Sequence, residues 1–409
     1  MEHLYLFAPE NDMALAFGKE HYTPTPAARK IADDLSLLPL WYAAERGAYV
    51  WSKQAVTPTM QKVLDTLRVT TRATASLEGL DTASVVCHPW GWSKYIAHRF
   101  SRAGVAAHRL PNAESLEKLR QISGRATTRA IIRSLTEDVK NHVFPALPEI
   151  LRTENDVKNY LSSQPASILK APWSSSGRGI LRADSNSNAA ILQAANGIIR
   201  KQGYIMGEPL YDKVQDFAME FYSDGKAVGF AGYSLFQTDA RGAYSGNLLA
   251  NNRNIESRLS RYVPTTLLHA VQTALISVIT PMVTPVYTGY FGVDMMIYRT
   301  AESQYLLNPC IELNLRMNMG VVARIIADSF LSDGCTGRYI TEYASSSSQL
   351  KQKQQELHAM YPLRISGNLI EEGFLPLTPI LPETRYAAYI IAEREKQHFH
   401  ISAKDVFIR

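Results

Sequence analysis

Apolar residues in the first hundred positions fall into short runs, 4–8, 48–51 and 84–87, each stopped by proline, glycine or a polar cluster, with helix-period stretches between them. This alternation predicts a small α/β domain. A helix is expected over 27–32, behind Pro24 and Pro26, and another over 94–103, after the turn Pro89-Trp90-Gly91. The domain is expected to close near Pro111.

Residues 114–135 read as helical and basic, after which the chain turns predominantly to sheet. Strands are expected at 166–171 and 179–182, flanking a Ser/Gly-rich loop, and at 203–208, stopping at Pro209. Residues 217–222 and 227–236 form a hairpin across Ser223-Asp224-Gly225. Leu267, Val271, Leu275 and Val278 share one face of a helix over 265–279 that packs on this sheet and is expected to end at Pro281. Its apolar stretch is read as falling short of the ~20 residues that span a bilayer. A long hairpin follows, 290–298 and 305–315 across a polar turn. The tail reads as a loop at 345–348 with a Lys/Gln-rich run, then a proline-interrupted strand region over 373–392. No period of a solenoid or propeller is present.

Composition narrows the class. The chain has 409 residues, room for two to three domains, with 46% hydrophobic and 20% charged residues, as expected of a folded globular protein. The net charge of +5 is spread without a run of like charge or a basic stripe interleaved with aromatics, so nucleic acid is not expected as a partner. Cys87, Cys310 and Cys335 are odd in number and far apart, which argues against a disulfide framework, a structural zinc site and a cysteine nucleophile. The opening MEHLYLFAPEND lacks the basic and apolar regions of a signal peptide, so a cytoplasmic protein without membrane attachment is expected.

Candidate chemistry concentrates in three places. In Glu312-Leu313-Asn314-Leu315-Arg316, strand alternation puts Glu312, Asn314 and Arg316 on one face, and the hairpin folds Asp294 back toward Glu312. Carboxylate and amide oxygens are hard ligands suited to Mg2+, and a guanidinium suits phosphate oxygens. Lys170 ends a strand before the donor-rich loop of Ser174, Ser175, Ser176 and Gly177, an arrangement suited to α- and β-phosphates without the GxxxxGK[ST] pattern. Glu208-Pro209-Leu210 at a strand end can hold an adenine, with Asp216 accepting ribose hydroxyls. In the first domain, Glu10-Asn11-Asp12 and His88-Pro89-Trp90-Gly91-Trp92 follow strands, where α/β sheets place ligands; they are candidates for acceptor recognition.

In this order and spacing, the elements between about 114 and 327 resemble the ATP-grasp superfamily. The resemblance implies an α/β and α+β chain: an N-terminal pre-ATP-grasp domain (1–112), a small subdomain carrying the flap (113–205), and a large subdomain with a C-terminal extension (206–409). It implies ATP held by Lys170, the flap residues Ser174, Ser175, Ser176 and Gly177, the hinge Glu208, Pro209, Leu210 and Tyr211, and Asp216. Asp294, Glu312 and Asn314 would hold Mg2+, with two ions expected. Lys170, Arg316 and Arg241, the last in a loop over the γ-phosphate, would be the catalytic residues. The family's first lysine is absent, so Arg125 or Arg129 would have to reach the phosphates. Proline in the hinge leaves the Pro209 carbonyl and the N–H of Leu210 or Tyr211 for adenine. The implied reaction is carboxylate–amine ligation through an acyl phosphate, on small molecules with amino acids and peptides among the candidates. Phosphoryl transfer to a hydroxyl and a non-catalytic nucleotide-binding regulator remain as alternative readings.

Overall fold

The computed structural model describes residues 1–140, 142–164, 166–174, 179–183, 188–238 and 244–394. Near the N-terminus, β1 (His3–Leu6), β2 (Tyr49–Trp51), β3 (Arg72–Thr74) and β4 (Val86–Pro89) form a parallel sheet of order β3-β2-β1-β4. Leu4, Leu6 and Val50 are buried, as parallel strands covered on both faces require. The flanking helices start where the sequence puts caps: the Thr25 and Thr57 side chains accept from Ala28 and Met60 N–H, with Pro26 and Pro58 next in line. Strand order reverses about β1, so the carboxyl ends of β1 and β4 open a crevice.

The second sheet is antiparallel: β5 (Glu149–Leu151), β6 (Ser167–Lys170), β7 (Ile180–Ala183) and β8 (Ile205–Pro209), ordered β5-β8-β6-β7. Val157, Tyr160 and Leu161 of the helix Glu154–Ser163 cover one face and pack with Leu169, Ile191 and Ile205. The Tyr160 ring lies so close to β8 that a Cβ at Gly207 would sit 2.7 Å from it.

The third sheet holds β9 (Asp212–Ser223), β10 (Val228–Thr238), β11 (Tyr244–Leu249), β12 (Gly289–Arg299), β13 (Tyr305–Asn314), β14 (Cys335–Tyr343), β15 (Arg364–Ser366), β16 (Leu369–Pro376) and β17 (Tyr386–Arg394). Its order is β13-β12-β9-β10-β11-β14-β17-β16-β15. Helices Ala126–Asp138 and Thr265–Val283 bury Ile131, Leu135, Leu267, Val271 and Leu275 against Phe217, Phe291 and Val293 of this sheet. The helix Met319–Phe330 and β14–β17 share a core with the N-terminal sheet, and the Trp41 indole donates to the Leu377 carbonyl at 2.8 Å.

Three expectations are corrected. The helix at 265 continues through Pro281 to Val283, the burial of Ile279 and Val283 in the core offsetting the one N–H bond that proline removes. At 19 residues it matches a membrane span in length and composition, yet its apolar stripe packs on the sheet. Of the loop expected at 345–348 only Ser345 and Ser346 lie outside a helix. Ser346 caps the helix Ser347–Met360 by accepting from Gln349 N–H, and the Lys/Gln run consists of good helix formers. The 114–135 stretch is two helices, Ala113–Ile122 and Ala126–Asp138, broken at Ser123-Gly124.

Candidate active site

The pairing of β12 with β13 sets Asp294 opposite Glu312 and Gly292 opposite Asn314. The three oxygen donors therefore share one end of the sheet. Burial, with the Glu312 and Glu220 carboxylates nearby, pushes the Asp294 carboxyl up to about 8. Such crowding of acids is relieved by a divalent cation, so the donor set fits Mg2+. The Asn314 amide oxygen accepts from Arg316 Nη2 at 3.0 Å.

Glu220 belongs to this cluster and was not among the sequence candidates. It is 1% exposed, and its oxygens accept from Ser234 Oγ at 2.7 Å and Asn318 Nδ2 at 2.8 Å. Burial raises its carboxyl to about 7. Gly292 and Gly320 cradle it, and a Cβ at either position would collide with its carboxylate. The signal lay in an acidic residue within the otherwise apolar Phe217-Ala218-Met219-Glu220-Phe221, set by alternation on the face opposite Phe217, Met219 and Phe221.

At the other end of the cleft, Lys170 on β6 donates to Glu208 on β8 at 2.6 Å, both side chains being buried. Burial pushes the Cys310 thiol up, and the Asp294, Glu208 and Glu312 carboxylates add to the rise. The Leu210 N–H donates to the Ala166 carbonyl at 3.0 Å, so of the two hinge N–H groups expected for adenine it is already committed within the fold. Tyr211 packs on Tyr298 with ring centroids 4.4 Å apart. Asp216 accepts from Lys213 on β9.

Arg125 joins the ends. Its guanidinium donates to the Ala171 carbonyl at 2.6 Å, to Ser174 Oγ at 2.7 Å and to Glu312 Oε2 at 2.7 Å, tying the start of the flap to the acidic cluster. Arg129 instead donates to the Pro148 carbonyl at 2.7 Å, away from the cluster. Ser175, Ser176, Gly177 and Arg241 lie outside the described residues.

The N-terminal sheet closes the site. Arg316 Nε donates to Asp12 Oδ1 at 2.7 Å, the Met317 N–H donates to the Trp90 carbonyl at 2.7 Å, and an isolated antiparallel bridge pairs Gly91 with Arg316. The crevice at β1 and β4 is thereby joined to the end of β13, and Asp12, Ser123, Trp173, Ser174, Glu312 and Arg316 line a single cleft. Asn11 is fully buried there, and neither of its side-chain polar atoms has a partner.

No family model and no curated protein match the chain. Solved structures do. The N5-carboxyaminoimidazole synthetase of Staphylococcus aureus, crystallised with ADP, is 10% identical and superposes with a TM-score of 0.50 over 97% of this chain and 93% of its own. A biotin carboxylase from Campylobacter jejuni in a β,γ-ATP complex is 11% identical, with a TM-score of 0.50 over 96% of this chain and 88% of its own. Both are ATP-grasp proteins. The chain has the ATP-grasp fold.

Proposed function

We propose that this chain is an ATP-dependent, ADP-forming ligase that joins a small-molecule carboxylate to an amine. The observation that carries the reading is the register that sets Asp294 opposite Glu312 beside Asn314, with Arg125 bonded to Glu312, Arg316 bonded to Asn314 and a buried Lys170 paired with Glu208, in a fold shared with proteins crystallised with ADP and with ATP.

In this reading, Lys170 binds phosphate oxygens and returns to Glu208 when the nucleotide leaves. Arg125 supplies the cationic group that a lysine gives elsewhere in the fold, and its fixed charge favours bidentate contact with phosphate. Glu208, the Pro209 carbonyl, Leu210 and the N–H of Tyr211 form the hinge, with Tyr211 and Tyr298 offering an aromatic wall. Asp216 takes the ribose hydroxyls, and Ser174, Ser175, Ser176 and Gly177 close over the phosphates. Asp294, Glu312 and Asn314 would hold two Mg2+ ions, which when bound neutralise the β- and γ-phosphate oxygens.

The substrate carboxylate oxygen attacks the γ-phosphorus, the bond to the β-phosphate oxygen breaks, and ADP departs. Arg316 and Arg241 stabilise the charge that moves onto the transferred group. The amine nitrogen then attacks the acyl carbon, inorganic phosphate leaves, and the amine proton passes to solvent. Little covalent help is asked of the protein: these residues position the reactants, and the closed flap keeps water from the acyl phosphate.

The test is ADP release from ATP with a panel of amino acids and short peptides paired with amines. ADP formation that needs both partners and yields an amide supports the reading, and Glu312→Ala is expected to abolish it. A stable phosphoester formed without an amine would instead identify a phosphotransferase.

A further inference from the structure

A second cluster of ligating side chains lies away from the nucleotide cleft. Alternation along β1 puts His3 and Tyr5 on one face, and pairing with β4 sets Tyr5 beside His88. The chain after the turn at Leu38–Trp41 brings Glu45 over the same face. His3 Nδ1 stands 2.9 Å from His88 Nε2 and 3.8 Å from Glu45 Oε1, and one ligand atom from each residue lies within 4.8 Å of the others. The Tyr5 hydroxyl donates to the other carboxylate oxygen, Oε2.

We propose that His3, His88 and Glu45 form a binding site for one divalent transition-metal ion of the zinc class. Tetrahedral coordination with ligand bonds of 2.0–2.1 Å separates neighbouring donors by about 3.3 Å, between the two distances seen here. Two imidazole nitrogens and one carboxylate suit zinc and its neighbours and not Mg2+, which takes oxygen donors. All three side chains are partly exposed, which gives an ion a path of entry and leaves its fourth position to water. In the metal-free pair one of the facing imidazole nitrogens carries the proton, and uptake of the ion needs that ring in the tautomer with its proton on the far nitrogen. Tyr5 supplies the outer hydrogen bond that orients a ligating carboxylate. The cysteine count excluded a thiolate zinc centre, whereas this site needs none.

The site stands independently of the ligase reading. The test is titration of the chelator-treated, full-length protein with Zn2+ against a chromophoric competitor, repeated in the Glu312→Ala background so that the acidic cluster does not contribute. One tightly held equivalent is expected, retained in excess Mg2+ and lost in His3→Ala and His88→Ala. Tyr5→Phe is expected to keep the stoichiometry and weaken affinity roughly 10–100-fold. Should a histidine variant fail to fold, Co2+ substitution of the wild-type protein decides, with the intense visible absorption of a four-coordinate centre expected. Absence of tight zinc, zinc retained in the histidine variants, or the weak spectrum of six-coordinate Co2+ would each overturn the proposal.

Discussion

At the scale of single residues, the acidic cluster governs how the protein responds to pH. Asp294 and Glu220 titrate near 8 and 7, well above their ordinary values, so between about pH 4 and 8 the folded chain holds protons that the unfolded chain has lost. Stability of the metal-free protein is therefore highest at the acidic end of that window and falls as pH rises. Thermal melting between pH 5 and 8.5 should show the decline, and Glu220→Gln should flatten the part below 7. Melting temperatures that rise with pH, or a Gln variant that parallels the wild type, would contradict the assignment. Asp294, Glu312 and Asn314 were legible in the sequence because hairpin pairing is local and side chains alternate. Arg125 stood in the sequence only as one of two arginines for the phosphates, and its contact with Glu312 was not legible, since the partners are 187 residues apart and no spacing rule links them.

Among the elements, the long hairpin of β12 and β13 showed clearly in the sequence, its polar turn separating two apolar strands. Strands β3, β5 and β15 did not, because short edge segments borrow their pairing from distant partners, and neither did the internal β14, whose Thr336, Gly337, Arg338, Thr341 and Glu342 give it little apolar pattern. The helix Ser347–Met360 was hidden by serines that read as a loop and serve as its cap. The small sheet is held by a close approach: Gly207→Ala is expected to cost ~1–3 kcal/mol by pressing a methyl group on the Tyr160 ring. Denaturant unfolding measures this, and adding Tyr160→Leu should recover part of the loss. An unaltered Gly207→Ala midpoint would refute that packing.

On the scale of the whole molecule, an N-terminal α/β unit before an antiparallel, helix-covered remainder was readable from the change in hydrophobic period. The seam between them was not. Arg316 reaches Asp12 across 304 residues of sequence, and that ion pair fixes the N-terminal crevice against the acidic cluster. Asp12→Ala is expected to destabilise the chain by about 2 kcal/mol and to weaken acceptor use more than ATP binding. Equal loss of both, measured by steady-state kinetics and calorimetry, would argue against a crevice that serves the acceptor.

The central claim is a Mg2+-dependent ATP site spanning Lys170 and the Asp294/Glu312/Asn314 cluster. Isothermal titration of the full-length protein with ATP, with and without Mg2+, tests it most directly, alongside Glu312→Gln and Lys170→Gln. Binding that strengthens with Mg2+ is predicted, with Glu312→Gln losing the Mg2+ dependence and Lys170→Gln losing affinity in both conditions. ATP that binds equally well without Mg2+ and in both variants, or that does not bind at all, would contradict the account.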